Sequence, residues 1–239
     1  SINQICKYLP SFSGLQLDLE VAALNKITDE ITKPITCIIG GSKISSKISI
    51  IKNLIPRFDN IIIVGGMANN LLKYKGHSIG KSIQEANCET SIDDIFKKSK
   101  SYPCSIILPE DVAVGKRMDD NATIKELNQI ENDDIILDIG PKTINKVKSI
   151  INKSKTILWN GPAGYFENPQ FSKGSIAIGN QIANQNKLGQ IFSVAGGGDT
   201  FALINIIDIF DNFNFVSTAG GAFLEYLEGK ELPGIKALN

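Results

Sequence analysis

From residue 35 onward, short apolar runs rich in β-branched residues alternate with longer segments whose apolar positions recur at helical spacing. The runs at 35–39, 60–64, 105–108, 135–139, 156–159, 190–194 and 213–217 read as strands. Between and after them, 44–54, 67–74, 88–100, 142–152, 171–186, 201–210 and 222–228 read as helices. Continuous apolar runs, rather than apolar–polar alternation, are what strands buried on both faces require. Strand alternating with helix therefore predicts an α/β protein with one parallel sheet covered by helices on both faces. Ahead of this rhythm, residues 1–14 are irregular. Segment 15–31 then carries Leu17, Val21, Leu24, Ile27 and Ile31 on one helical stripe, with Leu15 and Leu19 outside it. A helix apolar on more than one face is expected to pack between two bodies, and Pro34 ends it.

Nearly every predicted strand is closed by small residues: Gly40-Gly41, Gly65-Gly66, Gly140-Pro141, Gly161-Pro162, Gly196-Gly197-Gly198 and Gly220-Gly221. In open parallel sheets ligands bind at the carboxyl ends of the strands. Glycine there lets bare backbone N–H groups approach an anion, and each following helix N-terminus adds positive potential. The expectation is a polyphosphate site along one rim. Within it, Lys43 and Lys47 are four residues apart at the start of a predicted helix, where cations are disfavoured unless an anion answers them. Two solvated lysines are the alternative. Asp199 follows three glycines and could hold a metal beside a phosphate or simply cap the helix. Asn160 and Glu167 flank a rigid Gly-Pro loop, where Glu167 could accept hydrogen bonds from ribose. Trp159 reads as a core aromatic.

Composition narrows the partners. The 239 residues are 42% hydrophobic and 21% charged, with 25 basic and 25 acidic side chains. A formal net charge of zero argues against a nucleic-acid or anionic-membrane surface. Only Arg57 and Arg117 are arginines, which is sparse for a protein that clamps a multiply charged substrate. Cys6, Cys37, Cys88 and Cys104 lack metal-ligand spacing and read as free thiols in a reducing compartment. The lone His77 sits in a glycine-flanked loop without a partner carboxylate. No apolar run approaches the ~20 residues of a spanning helix, so a soluble, cytoplasmic protein is expected. Familiar phosphate motifs fail. Gly80-Lys81-Ser82 lacks the first glycine of a P-loop, no G-x-G-x-x-G follows the first strand, and the H-R-D and D-F-G of protein kinases are absent. A nicotinamide-dependent oxidoreductase is disfavoured by the same missing fingerprint.

In order and spacing, the chain resembles the carboxyl-terminal, nucleotide-binding domain of the phosphoglycerate kinase family. The motifs are Tyr8-Leu-Pro-Ser11, Gly40-Gly-Ser-Lys43 with Lys47, Gly65-Gly-Met67, Leu108-Pro-Glu-Asp111, Asp138-Ile-Gly-Pro-Lys142, Trp159-Asn-Gly-Pro162 with Phe166-Glu167, Gly196-Gly-Gly-Asp-Thr200, Ser217-Thr218 with Gly220-Gly221, and residues 227–234. The resemblance implies a three-layer, Rossmann-like α/β fold. It implies that residues 1–34 are a linker and interdomain helix and 35–239 the nucleotide-binding domain. The implied reaction is phosphoryl transfer between 1,3-bisphosphoglycerate and Mg-ADP.

Carried over by position, Lys43 and Lys47 contact nucleotide phosphates, and Gly197, Gly198 and Thr200 donate to them. Asp199 holds Mg²⁺; Asn160, Pro162 and Glu167 hold ATP or ADP. Gly41 and Ser42 also bind the nucleotide, Gly65 and Gly66 floor the adenine slot with Ile136 beside it, and Ser217, Thr218, Gly220 and Gly221 border the transferring group and the interdomain hinge. Lys43, Gly197, Gly198, Ser217, Thr218 and Gly220 are the implied catalytic set. The chain departs from the family pattern at Val64, Ala219, Ile136 and Tyr165. A β-branched Ile136 is expected to narrow the adenine slot, and Tyr165 to stack on the base. The histidine-and-arginine patch that grips 3-phosphoglycerate in the amino-terminal domain has no counterpart here, so one face of the 15–31 helix should be uncovered and turnover by this chain alone negligible. A full-length form is expected to be a monomer. The other reading is a non-catalytic nucleotide-binding module that needs a partner chain.

Overall fold

The computed structural model describes residues 2–28 and 32–238. Six strands form a parallel sheet in the spatial order β3-β2-β1-β7-β8-β9. They are β1 (Ile35–Ile39), β2 (Asn60–Ile63), β3 (Ser105–Ile107), β7 (Thr156–Asn160), β8 (Phe192–Gly196) and β9 (Phe215–Ser217). Side chains alternate across each strand. Cys37, Ile39, Ile61, Ile63, Leu158 and Val194 therefore face one core, and Ile38, Ile62, Ile157, Trp159 and Ala195 the other.

Helices cover both faces. On the first lie α2 (Leu15–Thr28), α3 (Ile48–Leu54), α4 (Gly66–Tyr74), α5 (Glu89–Lys100) and α9 (Gly221–Leu227). On the second lie α6 (Pro141–Lys153), α7 (Lys173–Lys187) and α8 (Gly198–Ile206). Two short helices, α1 (Ile2–Ile5) and α10 (Pro233–Lys236), touch each other. The three-layer α/β arrangement expected from the pattern is what forms. Trp159 is fully buried and stacks on Phe213.

Helix α2 inserts Leu24 and Ile27 into the first core. Its Leu15 and Leu19 stay 86% and 58% exposed, next in sequence to the exposed Tyr8 and Phe12. Of the predicted stripe, Leu24 and Ile27 reach the core while Leu17 and Val21 are only half-buried, and Ile31 lies outside the described residues; Leu15 and Leu19 form the uncovered face.

Three expectations need correction. Segment 135–139 forms β6 (Ile135–Ile139), but in a separate antiparallel sheet of order β5-β4-β6, with β4 (Asp111–Gly115) and β5 (Thr123–Glu126). Gly140 therefore closes no strand of the main rim. It is small because a Cβ there would lie 2.3 Å from the Asp111 carboxylate, which caps α6 by accepting from the Lys142 and Thr143 N–H groups. The helix predicted over 44–54 begins only at Ile48, after a turn at 45–47. The helix predicted over 201–210 starts earlier, at Gly198, and ends at Ile206.

Candidate functional site

The parallel sheet reverses strand order between β1 and β7, on either side of which connections run in opposite directions. A crevice opens at such a switch point, outside the strands' carboxyl ends. Here the crevice floor is bare backbone. The Gly40 N–H donates to the Asn160 carbonyl at 2.8 Å, and a Cβ on Gly161 would fall 2.4 Å from the Gly40 oxygen. Gly161 and Gly41 also take positive φ, at 102° and 126°, which L side chains rarely tolerate.

Two cavities adjoin over this floor. A chamber of about 330 Å³ is mainly apolar, lined by Gly65, Gly66, Ile136, Leu137, Pro162 and Tyr165, with Glu167 at its edge. A cleft of about 260 Å³ is lined by Lys43, Lys47, Asn160, Gly197, Gly198 and Thr200. Gly41, Ser42 and Asp199 border both. An apolar chamber that opens into a cationic, backbone-lined cleft matches a ligand with a flat apolar end and an anionic tail.

In the cleft, Lys47 is the N-cap residue of α3 and is partly buried. Its ammonium donates to Asn160 Oδ1, and the Asn160 amide donates in turn to the Gly196 carbonyl at 2.6 Å. Both ends of Asn160 are therefore engaged, so it positions Lys47 and ties β7 to β8. Burial pulls the Lys47 pKa down, while the carboxylates of Asp199 and Glu228 resist that pull. Burial likewise pushes the Cys37 thiol up, so it stays neutral behind the lysine.

Lys43 does not share a helical face with Lys47, because it lies in the loop before the turn; the two ammonium groups nevertheless line the same cleft. The turn starts where it does because Glu85 caps it. The Glu85 carboxylate accepts from the Ser45 N–H and hydroxyl at 2.8 and 2.7 Å. Those bonds hold the Glu85 pKa below the usual carboxylate range.

Asp199 sits in the first turn of α8, exposed, with no hydrogen bond or ion pair to the described residues. A free carboxylate between two cavities, beside lysines, suits an oxygen-liganded divalent cation such as Mg²⁺. Thr200 is fully buried, and its hydroxyl accepts from the Gly161 N–H at 2.7 Å.

In the chamber, Gly65 has a φ of 69°, and a Cβ on it would fall 2.9 Å from the Gly41 nitrogen. Ile136 packs against the cluster of Val112, Val114 and Ile130 and also lines the chamber. Tyr165 leans on the Ala113–Leu137–Phe171 cluster, and Val64 is buried in the second core.

Ser217, Thr218 and Gly220 line neither cavity. The first two are held from below by Glu20 of α2: the Ser217 hydroxyl and Thr218 N–H donate to its carboxylate at 2.7 and 3.0 Å. Sequence reasoning missed Glu20 and Glu85. For Glu20 the available signal is one acid inside the otherwise apolar run Leu19–Leu24 of the helix. Glu85 carries no local signal, since its partner is 40 residues away.

No helix among the described residues is long and apolar enough to cross a membrane. The family model described as phosphoglycerate kinase matches residues 1–230. The phosphoglycerate kinase of Bartonella tribocorum is 41% identical over 240 residues, which is 100% of this chain and 60% of that protein. That of Zymomonas mobilis is 42% identical over 232 residues, 96% of this chain and 58% of the relative. Among solved structures, phosphoglycerate kinase from Coxiella burnetii superposes with a TM-score of 0.89 at 39% identity, covering 93% of this chain and 57% of that one. The Pyrococcus horikoshii enzyme gives 0.82 at 27% identity, covering 99% and 59%. The chain thus spans about 60% of the length of the curated relatives it matches.

Proposed function

Because the chain belongs to the phosphoglycerate kinase family, we propose that it is the nucleotide-binding part of that enzyme, serving phosphoryl transfer between 1,3-bisphosphoglycerate and Mg-ADP. The carrying observation is that an apolar chamber and a cationic cleft share Gly41, Ser42 and Asp199 at the switch point. The base lies on Gly65 and Gly66 beside Ile136 and Pro162, and Glu167 takes the ribose hydroxyls. The phosphates run along the cleft toward Lys43 and Lys47, with N–H groups of Gly197, Gly198 and Thr200 at the head of α8. Phosphoryl transfer requires little covalent chemistry from protein; positioning and charge neutralisation carry it. Lys47, braced by Asn160, supplies a fixed positive charge, and Lys43 supplies a mobile one. Asp199 would hold Mg²⁺, which when bound neutralises phosphate oxygens. Ser217, Thr218 and Gly220 border the transferred group from β9.

Residues 1–34 act as linker and interdomain helix, and residues 35–239 as the nucleotide domain. The exposed Tyr8, Phe12, Leu15 and Leu19 are the surface against which the 3-phosphoglycerate-binding part packs. That same surface supports a second reading, in which the chain is a nucleotide-binding module completed by a separate partner chain. The buried thiols of Cys37, Cys88 and Cys104, none of them in a disulfide, fit a cytoplasmic setting. Calorimetric titration with Mg-ADP tests the nucleotide reading: one saturable site is expected, and absence of binding overturns it. In a coupled glycerate assay the chain alone should turn over negligibly; a normal rate would refute the need for a second part.

A further inference from the structure

Two buried side-chain atoms among the described residues have no hydrogen-bond partner, Asn69 Oδ1 and Asn186 Oδ1. Asn186 lines neither cavity. Asn69 lines the apolar chamber, one turn into α4 from Gly66, and is only 1% exposed. Its amide nitrogen is committed, donating to the Ile83 carbonyl at 3.0 Å. The orientation of the amide is therefore fixed, and the oxygen is the end left without a donor. An orphaned buried acceptor costs on the order of 1–3 kcal/mol, which a native fold tolerates where a ligand donor will meet it. The neighbouring Asn70 makes the contrast. Its Oδ1 accepts from the Glu85 N–H, and its nitrogen donates to the Glu85 carbonyl.

We infer that Asn69 is the specificity residue of the base chamber, its Oδ1 accepting a hydrogen bond from an exocyclic amino group of a 6-aminopurine. This rests on the nucleotide reading above and goes beyond it, assigning base discrimination to one side chain. Of the other walls, Gly65, Gly66, Ile136, Leu137 and Pro162 offer shape and apolar contact. Polar side chains also line the chamber, namely Ser42, Lys81, Asp138, Tyr165, Glu167 and Asp199. Among them Asp138 is committed to the Ile139 and Gly174 N–H groups, and Asn69 is the one lining residue with a buried acceptor left without a donor. Access comes through Ile83. Its Cδ1 lies over Gly66, 2.3 Å from where a Cβ would stand, and the residue is half exposed. A base settling on Gly66 must displace that side chain, and Gly66, Asn69 and Ile83 line the same chamber. A 6-keto purine would set oxygen against oxygen at the same point.

The test compares ADP, inosine diphosphate and the diphosphate of 6-unsubstituted purine riboside by calorimetry, on the native chain and on Asn69→Leu. The native chain should bind ADP about 10-fold tighter than either analogue. In Asn69→Leu, ADP should fall to the affinity of the 6-unsubstituted purine riboside diphosphate, which should change little, while inosine diphosphate, relieved of the oxygen–oxygen contact, should bind no worse than before. Equal binding of ADP and the purine riboside diphosphate by the native chain overturns the inference, as does a preference that survives in Asn69→Leu. If the variant does not fold, the native comparison decides alone. Failure of all three nucleotides to bind would refute the nucleotide reading itself, an outcome distinct from binding without preference.

Discussion

The Ser217 hydroxyl donates to the Glu20 carboxylate at 2.7 Å, joining the end of β9 to α2 across 197 residues of sequence. Removing the carboxylate strands the buried Ser217 hydroxyl and takes the acceptor from the part-buried Thr218 N–H. Glu20→Ala should therefore destabilise the chain by about 2 kcal/mol or more. Glu20→Gln, which keeps one acceptor, should lose less. Denaturant unfolding measures both, and equal stability of all three forms would remove Glu20 from the junction.

Lys47 and Asn160 act as one unit, since the amide fixes the ammonium in the cleft. Lys47→Ala is expected to weaken Mg-ADP binding by ~1–3 kcal/mol. Asn160→Ala should weaken it through misplacement of Lys47, and the double variant should bind little worse than Lys47→Ala alone. Additive losses in the calorimetric cycle would mean that each residue contacts the nucleotide independently.

Asp199 is the free carboxylate shared by the two cavities. Asp199→Asn should abolish the magnesium dependence of nucleotide binding while leaving metal-free binding nearly unchanged. Titrations with and without Mg²⁺ decide this; a persisting metal effect would locate the ion elsewhere.

Asp138 couples stability to pH. Burial pushes its pKa up to about 7, against the N–H groups of Gly174 and Ile139 and the charge of Lys173. The unfolded carboxyl titrates near ~3.9. Between those values the folded chain keeps a proton that the unfolded chain has released, so this group's contribution falls as pH rises from ~4 to ~7. The loss is on the order of 2–4 kcal/mol. Asp138→Asn should flatten that part of the profile, its stability relative to the native chain improving from pH 4 to pH 8. A constant difference across that range would show that Asp138 ionises normally.

The sheet was legible because buried parallel strands are short, apolar and closed by glycine, as at β1, β2, β7, β8 and β9. The second sheet was not. A buried run such as Ile135–Ile139 looks the same whichever sheet receives it, and β5 is largely exposed, with little apolar signal. The rim glycines and both cleft lysines could be read locally, because each stands in a short consecutive stretch at a strand's end. Lys43 was given a helical position because spacing alone cannot see Glu85 arrive from another segment and cap Ser45. Glu20 and Asn69 escaped for a related reason: each matters through what lies beside it in space, and neither neighbour adjoins it in sequence.

The contact between Gly40 and Gly161 bears on how such a chain can drift. The cleft floor is made of peptide groups, which any residue supplies, so few side chains there are required for what they add. What the floor forbids is an extra carbon: a methyl on Gly40 would meet the Pro162 oxygen at 2.1 Å. A substitution at this seam fails by adding atoms rather than by losing particular ones. Much of the surrounding sequence is then free to change while the seam stays closed.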